Sequence, residues 1–229
     1  MKTLGILTAM SVEYSQLARM MENTAEETDG TMKYLIGNIG THHVILVQCG
    51  IGKVNAAMCS ALLIRRYQPD CIISTGVAGG VDTSIRVMDV VVSAEQVYHD
   101  MWCGPGNAWG QVQGLPERLQ SNRQLLKSAT SLQTETRIVP GLICTGDMFV
   151  TKPEEQQRIK TDFPEALAVD MESCAIAQVC YLNDVPFISF RIISDTPGQK
   201  DNISQYVDFW KSMADTSFAV TRDFITSIV

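Results

Sequence analysis

The chain has 229 residues, 45% of them hydrophobic and 19% charged, the composition of a globular protein with a sizeable core. Its formal charge is −7, from 18 basic and 25 acidic side chains, and no Lys/Arg cluster exceeds Arg65-Arg66, so no nucleic-acid partner is expected. No stretch approaches the roughly 20 apolar residues of a membrane span, and the first residues lack a signal peptide's long apolar region, so a cytoplasmic chain without membrane contact is expected.

Short apolar runs alternate with helical periods along the chain. A strand is expected over residues 4–9, then a helix through Val12, Tyr14, Leu17, Met20 and Met21. A strand over 43–48 leads through Cys49-Gly50-Ile51-Gly52-Lys53-Val54-Asn55 into a helix carrying Ala57, Met58, Ala61, Leu62 and Arg65. Strands over 71–75 and 89–92 follow, then an irregular loop from Tyr98 to Pro116 with six Gly/Pro and two Trp. Strands over 141–144, 166–169 and 187–193 complete the set, with helical periods at Cys174–Leu182 and from Tyr206 to the end. Continuous apolar runs of this length read as strands buried on both faces. The alternation predicts an α/β fold with a parallel or mixed sheet, in one domain over residues 1–229.

Seven cysteines, an odd number without CxxC spacing, point to reduced thiols rather than a disulfide framework. The three histidines, His42, His43 and His99, form no zinc-like pattern with other ligands, so no metal is expected.

Two glycine clusters come at expected strand ends. In the first, Asn55 stands where a dinucleotide-binding loop needs a third glycine, and Val47 where a P-loop needs its first. A plain strand-to-helix turn is the simpler reading there. The second, Ser74-Thr75-Gly76-Val77-Ala78-Gly79-Gly80, allows close approach of either a ligand or a packed helix.

Three acids share a placement near carboxyl ends of strands, where ligands gather in open α/β sheets. Glu13 and Glu172 open helices, where an acid also complements the helix dipole. Asp195 follows the run over 187–193 and could equally be a turn residue before Pro197. Arg191 lies inside that run, where a charge is costly unless paired. Its parity matches Ile193 and Asp195, and both an ion-pair role and a site role fit.

Several ordered blocks together resemble one family. They are Gly5-Ile6-Leu7-Thr8-Ala9-Met10 with Glu13, both glycine clusters, Val90-Val91-Val92-Ser93 with Tyr98-His99-Asp100, and Gly141-Leu142-Ile143-Cys144-Thr145-Gly146-Asp147-Met148-Phe149. Val169-Asp170-Met171-Glu172-Ser173 and Phe190-Arg191-Ile192-Ile193-Ser194-Asp195 complete the match, which covers nearly the whole chain. The family is the 5′-methylthioadenosine/S-adenosylhomocysteine nucleosidases of the purine nucleoside phosphorylase superfamily. The resemblance implies a three-layer α/β sandwich with a mixed, partly barrel-like sheet, a homodimer, and no cofactor. It implies hydrolysis of the N9–C1′ bond of a nucleoside. By motif match, Asp195 is the general acid toward adenine N7, and Glu13 activates water with help from Arg191. Met171 and Glu172 hold the ribose. Phe149 stacks on adenine while the Val150 backbone reads its edge. Met10, Ile51, Val77, Ala78, Gly79 and Ser194 complete the substrate-binding set. The loop from Tyr98 to Pro116 is expected to reach the partner subunit's site.

Those roles suit an oxocarbenium-like transition state, in which positive charge builds on the sugar and negative charge on the departing base. Asp195 would need a raised pKa to hold a proton near neutrality. The phosphorolytic branch of the superfamily binds phosphate with arginines, whereas Ile73, Ser74 and Thr75 precede Gly76 here, which favours hydrolysis. Phosphorolysis, hydrolysis of 6-amino-6-deoxyfutalosine, and ligand binding without turnover are the alternatives. Three departures stand out: Val77 in place of a common serine, the Trp102-Cys103-Gly104-Pro105-Gly106 stretch, and Thr196-Pro197-Gly198. Tyr206 and Phe209 are candidates to cover the site, or else core aromatics.

Overall fold

The computed structural model describes residues 1–197, 202–212 and 218–228. Strand β1 (Thr3–Thr8) runs parallel between β4 (His42–Gln48) and β5 (Cys71–Gly80). Alternation of side chains sends Leu4 and Ile6 into one core and Leu7 into the other. Beyond β4 the sheet continues antiparallel through β3 (Met32–Ile39) to the edge strand β2 (Glu22–Asp29). Nothing in the sequence marks β2 as a strand, because every one of its side chains is exposed and none repeats with period two. Its pairing with β3 holds it, and its acids keep the open edge from recruiting another strand.

On the opposite side, β5 bonds to three neighbours. Ile72, Ile73 and Ser74 pair with β1 on one edge and with β10 (Phe187–Asp195) on the other, while Gly79 and Gly80 pair with β9 (Ala166–Asp170). The path β10, β6 (Val90–Tyr98), β8 (Ile138–Thr145), β9, β5 and back to β10 closes a five-strand ring, with the short β7 (Leu119–Gln120) appended to β6. Each ring strand sends one apolar side chain into a shared cluster: Ala78, Val91, Ile143, Ala168 and Ile193, joined by Ile85. The sheet is thus mixed, open at β2 and closed like a barrel at β5.

Helices cover both faces. On one, α2 (Lys53–Tyr67) and α5 (Ser173–Leu182) pack Ala56, Cys59, Leu63, Cys174 and Ala177 against Leu7 and Ile45. On the other, α1 (Ser11–Ala18), α3 (Arg123–Thr130) and α7 (Ala219–Ser227) contribute Leu17, Leu125 and Phe224. Helix α4 (Pro153–Asp162) lays Ile159 on Cys144 and Ala166 at the ring, and α6 (Asn202–Ser212) follows β10.

Some expectations need correction. Helix α1 ends at Ala18, not Met21, because a backbone turn follows. Helices α3 and α4 were not expected; α3 buries only Leu125 and Ala129, and α4 only Gln156 and Ile159, so each shows few core residues in sequence. The C-terminal period comprises α6 and α7; residues 213–217 and 229 lie outside the described residues. The second glycine cluster does not follow its strand but forms the carboxyl half of β5. Small residues at 76, 79 and 80 look like a strand end in sequence, yet they pair with neighbouring strands, and a Cβ at 76 would meet Glu13 and Arg191 while one at 80 would crowd the Asp195 carbonyl at 3.1 Å.

Candidate active site

The junction of β1 and α1 delivers Glu13. Its Oε2 accepts the backbone N–H groups of Ala9 and Met10, each at 2.9 Å, and its Oε1 accepts the N–H of Val77 at 3.0 Å. The carboxylate therefore ties the start of α1 to β5 across the sheet. Burial pushes its pKa up, against the opposing pull of Arg191 and the three N–H donors.

Arg191 stands opposite Gly76, and Asp195 opposite Gly79, in the β10–β5 register. A Cβ on Gly76 would lie 2.6 Å from Glu13 Oε1 and 2.8 Å from Arg191 Nη1, so glycine is required for this carboxylate and guanidinium to meet over the strand. Arg191 Nε donates to Asp170 Oδ2 at 2.6 Å, Nη2 donates to Ser74 Oγ at 3.1 Å, and Nη2 lies 3.7 Å from Glu172 Oε2. Burial disfavours its charge, but Asp170, Glu172 and Glu13 outweigh it and hold its pKa up. Arg191 is therefore ion-paired and also faces two acids of the cavity; the two readings of this residue describe one arrangement.

Glu172 caps α5 and accepts the N–H of Gly52 at 3.0 Å. Gly52 has φ +96°, a conformation that suits glycine, and it opens α2. The first glycine cluster is thus a turn whose helix-end donors take protein carboxylates: Glu172 on Gly52, and Asp147 on the N–H of Lys53 at 2.8 Å. Burial raises the Glu172 pKa to about 7, with Arg191 opposing.

Asp195 ends β10 after a bulge, is buried, and accepts a hydrogen bond from Ser194 Oγ at 2.7 Å. A Cβ on Gly79 would lie 3.4 Å from its Oδ2.

These elements enclose a cavity of about 390 Å³. Met10, Glu13, Ile51, Val77, Ala78, Gly79, Phe149, Val150, Met171, Glu172 and Ser194 line it, as do Ala9, Met148, Val169, Asp170 and Tyr206. Arg191 and Asp195 each touch a lining residue rather than the cavity itself: Arg191 Nη2 lies 3.7 Å from Glu172, and Asp195 accepts from Ser194 Oγ at 2.7 Å. Phe149 and Tyr206 meet edge to face at 5.2 Å, and Tyr206 Oη lies 3.6 Å from Met10 Sδ. The cavity thus offers an aromatic, sulfur-lined wall and three carboxylic groups. Among the described residues, no Lys or Arg lines it.

Asp170 was missed from sequence, although the signal was present. It is a charge at the end of a buried strand, the same argument that singled out Arg191, and the two are each other's partner. Of the two aromatics proposed as cover, Tyr206 lines the cavity whereas Phe209 belongs to the core. Thr196 exchanges hydrogen bonds with Gln205 of α6, and Gly198 lies outside the described residues. In the loop from Tyr98 to Pro116, Trp102 and Trp109 stack at 6.2 Å and Asp100 clasps Lys53 at 2.8 Å. No residue of that loop lines the cavity of its own chain.

Comparison with known proteins places this geometry. The family model for the phosphorylase superfamily matches residues 3–226. A 5′-methylthioadenosine/S-adenosylhomocysteine nucleosidase of Anoxybacillus flavithermus is 39% identical, with 88% of each chain covered. A crystal structure of such a nucleosidase from Neisseria meningitidis, in complex with methylthio-immucillin-A, superposes with a TM-score of 0.92 at 35% identity and full coverage of both chains. The Colwellia psychrerythraea nucleosidase in complex with adenine superposes at 0.91 with 32% identity, covering 99% of this chain and 95% of that one. The chain belongs to the 5′-methylthioadenosine/S-adenosylhomocysteine nucleosidases of the phosphorylase superfamily.

Proposed function

We propose that this protein hydrolyses the N-glycosidic bond of 5′-methylthioadenosine and S-adenosylhomocysteine, releasing adenine and the 5′-thioribose, as a step in nucleoside catabolism and methionine salvage. The observation that carries this reading is a cavity with an aromatic wall, three acids and, among the described residues, no lining cation, in a chain superposing at 0.92 on a nucleosidase holding a nucleoside analogue. A flat apolar base suits Phe149, and a ribose diol suits the acceptor pair of Glu172. The acids favour a sugar that turns cationic at the transition state. They would repel phosphate, which argues for water as the nucleophile.

In this mechanism Glu13 takes a proton from water as the water oxygen bonds to C1′, and Arg191 keeps Glu13 and Glu172 oriented. Asp195 gives its proton to adenine N7 as the C1′–N9 bond breaks, so the base leaves neutral. Met171 and Glu172 hold the ribose, and the Val150 backbone reads the adenine edge. No cofactor enters these steps. The chain acts as a single domain over residues 1–229, in the cytoplasm, where its seven unpaired cysteines stay reduced. It forms a homodimer in which the loop from Tyr98 to Pro116 reaches the partner's site. The exposed row Val54, Met58 and Leu62 on α2 supplies apolar surface of the kind an interface covers.

Adenine release from methylthioadenosine in phosphate-free buffer tests the reading, with S-adenosylhomocysteine and 6-amino-6-deoxyfutalosine as competing substrates. Adenine appears without phosphate; strict dependence on phosphate, or no adenine at high enzyme concentration, overturns hydrolysis. Asp195→Asn lowers kcat roughly 100- to 10,000-fold while an adenosine analogue still binds. Full activity in that variant removes Asp195 from the acid role.

A further inference from the structure

The cavity acids compete for one buried cation, and the acid that grips it most directly has no part in the roles above. Four donors converge on the Asp170 carboxylate: Arg191 Nε at 2.6 Å, Thr145 Oγ1 at 2.5 Å, Ser173 N at 3.1 Å, and Ser173 Oγ. Behind them, the N–H of Cys174 donates to Thr145 Oγ1 at 3.0 Å, and the Ser173 and Ser189 hydroxyls are 2.7 Å apart. These contacts fix the carboxyl group from β8, α5 and β10 together. Its hold on Nε leaves the two terminal nitrogens of Arg191 for the acids on either side: Nη2 toward Glu172 and Nη1 beside Glu13 at Gly76.

We propose that Asp170 is a positioning residue for the cleavage reaction, holding Arg191 by Nε so that its terminal nitrogens stand between Glu13 and Glu172. The inference rests on the hydrolytic reading for its kinetic consequences, but not for its electrostatic ones. Without the Asp170 charge, Arg191 swings toward the remaining carboxylates. Glu172 then loses a negative neighbour and gains a nearer positive one. The charged and titratable groups facing Glu172 are Arg191 from β10, Asp170 from β9, Glu13 from α1 and the Cys49 thiol beyond β4. Of these, Asp170 and Glu13 favour its protonated form and Arg191 its ionised form.

The test is Asp170→Asn, which keeps shape and an acceptor but removes the charge. Expected are a fall in kcat on the order of 10- to 100-fold, a KM changed less than about threefold, and an acid limb of the kcat/KM profile displaced to lower pH. Carbon-13 NMR titration of the glutamate carboxyls reads the same coupling without turnover: the Glu172 midpoint drops from its wild-type value. Native kcat with an unmoved Glu172 midpoint overturns the proposal, as does lost activity with both the profile and the midpoint unmoved. Should Asp170→Asn not fold, Thr145→Val removes one donor and leaves the charge. It then lowers kcat several-fold at unchanged KM, and native kcat in that variant overturns the proposal. A wild-type protein that releases no adenine strikes the hydrolytic reading alone, and the NMR arm still decides the role of Asp170.

Discussion

At Gly76, two charged groups occupy the volume that any other residue's Cβ would fill. Gly76→Ala must push the Glu13 carboxylate off the Val77 N–H or drive Arg191 from its place. The expected result is a kcat loss on the order of 100-fold from misplacement, with a stability loss of about 1–3 kcal/mol. Steady-state kinetics and urea unfolding of the same preparation check both. Glu172 makes a prediction about pH. Its folded pKa of about 7 lies above the unfolded value of 4.5, so the folded state keeps a proton that the unfolded state releases. Below pH 4.5 the group is neutral to stability. Between 4.5 and 7 it costs progressively more, and above 7 the full cost is present, on the order of 3 kcal/mol. Glu172→Gln therefore melts higher than the wild type at pH 8 and no higher at pH 4.5, while turnover falls. Differential scanning calorimetry across that range checks the sign. Arg191 is legible from sequence because a charge inside a buried strand demands a partner, and the acids because they share strand ends and match the motifs of the family that the chain resembles. The identity of that partner is not, since Asp170 and Arg191 are 21 residues apart and meet only through the pairing of the ring.

At the scale of elements, the cavity is a cleft between strand ends with one helix leaning over it. Helix α6 presents Tyr206 to Phe149 and Met10 and packs Phe209 and Trp210 behind. Tyr206→Ala removes one edge-to-face contact from the wall, worth about 0.5–1.5 kcal/mol. The expected effect is a rise in KM of roughly 2- to 12-fold with kcat nearly unchanged. A kcat loss of 100-fold would instead place Tyr206 in the chemistry. The helices and strands that carry the site were readable because buried elements impose unbroken apolar runs or a 3.6-residue period. Strand β2 was not, because it owes its structure to backbone pairing alone. The extent of β5 was not legible either. A strand that must admit Glu13, Arg191 and Asp195 against its face is built from glycine and alanine, the residues that elsewhere mark its end.

For the whole molecule, the α2 surface is the feature a monomer does not explain. Val54, Met58 and Leu62 recur at four-residue spacing and are exposed, Val54 by 77%. Val54→Asp places a charge on that face in the first turn of the helix, where an acid is favourable to the helix itself. The variant is therefore expected to fold normally and to sediment as a monomer while the wild type sediments as a dimer. A wild-type monomer at micromolar concentration would reject the interface. The fold class follows from the alternation of elements, yet ring closure does not, since no local pattern announces that β5 has three partners.

That closure sets an order of events during synthesis. The register joins Phe187 to Ile72, so β5 waits for more than half the chain before its second edge is occupied. Contacts of such long range form late and slowly. A nascent chain halted before β10 lacks both Arg191 and Asp195, and it displays the bare edges of β5 and β6 that β10 later covers. Docking of β10 adds Ser194 to the cavity wall and sets Arg191 against Glu172, and until then the glycine-rich half of β5 is an open strand that a chaperone, or another copy of the chain, can meet first.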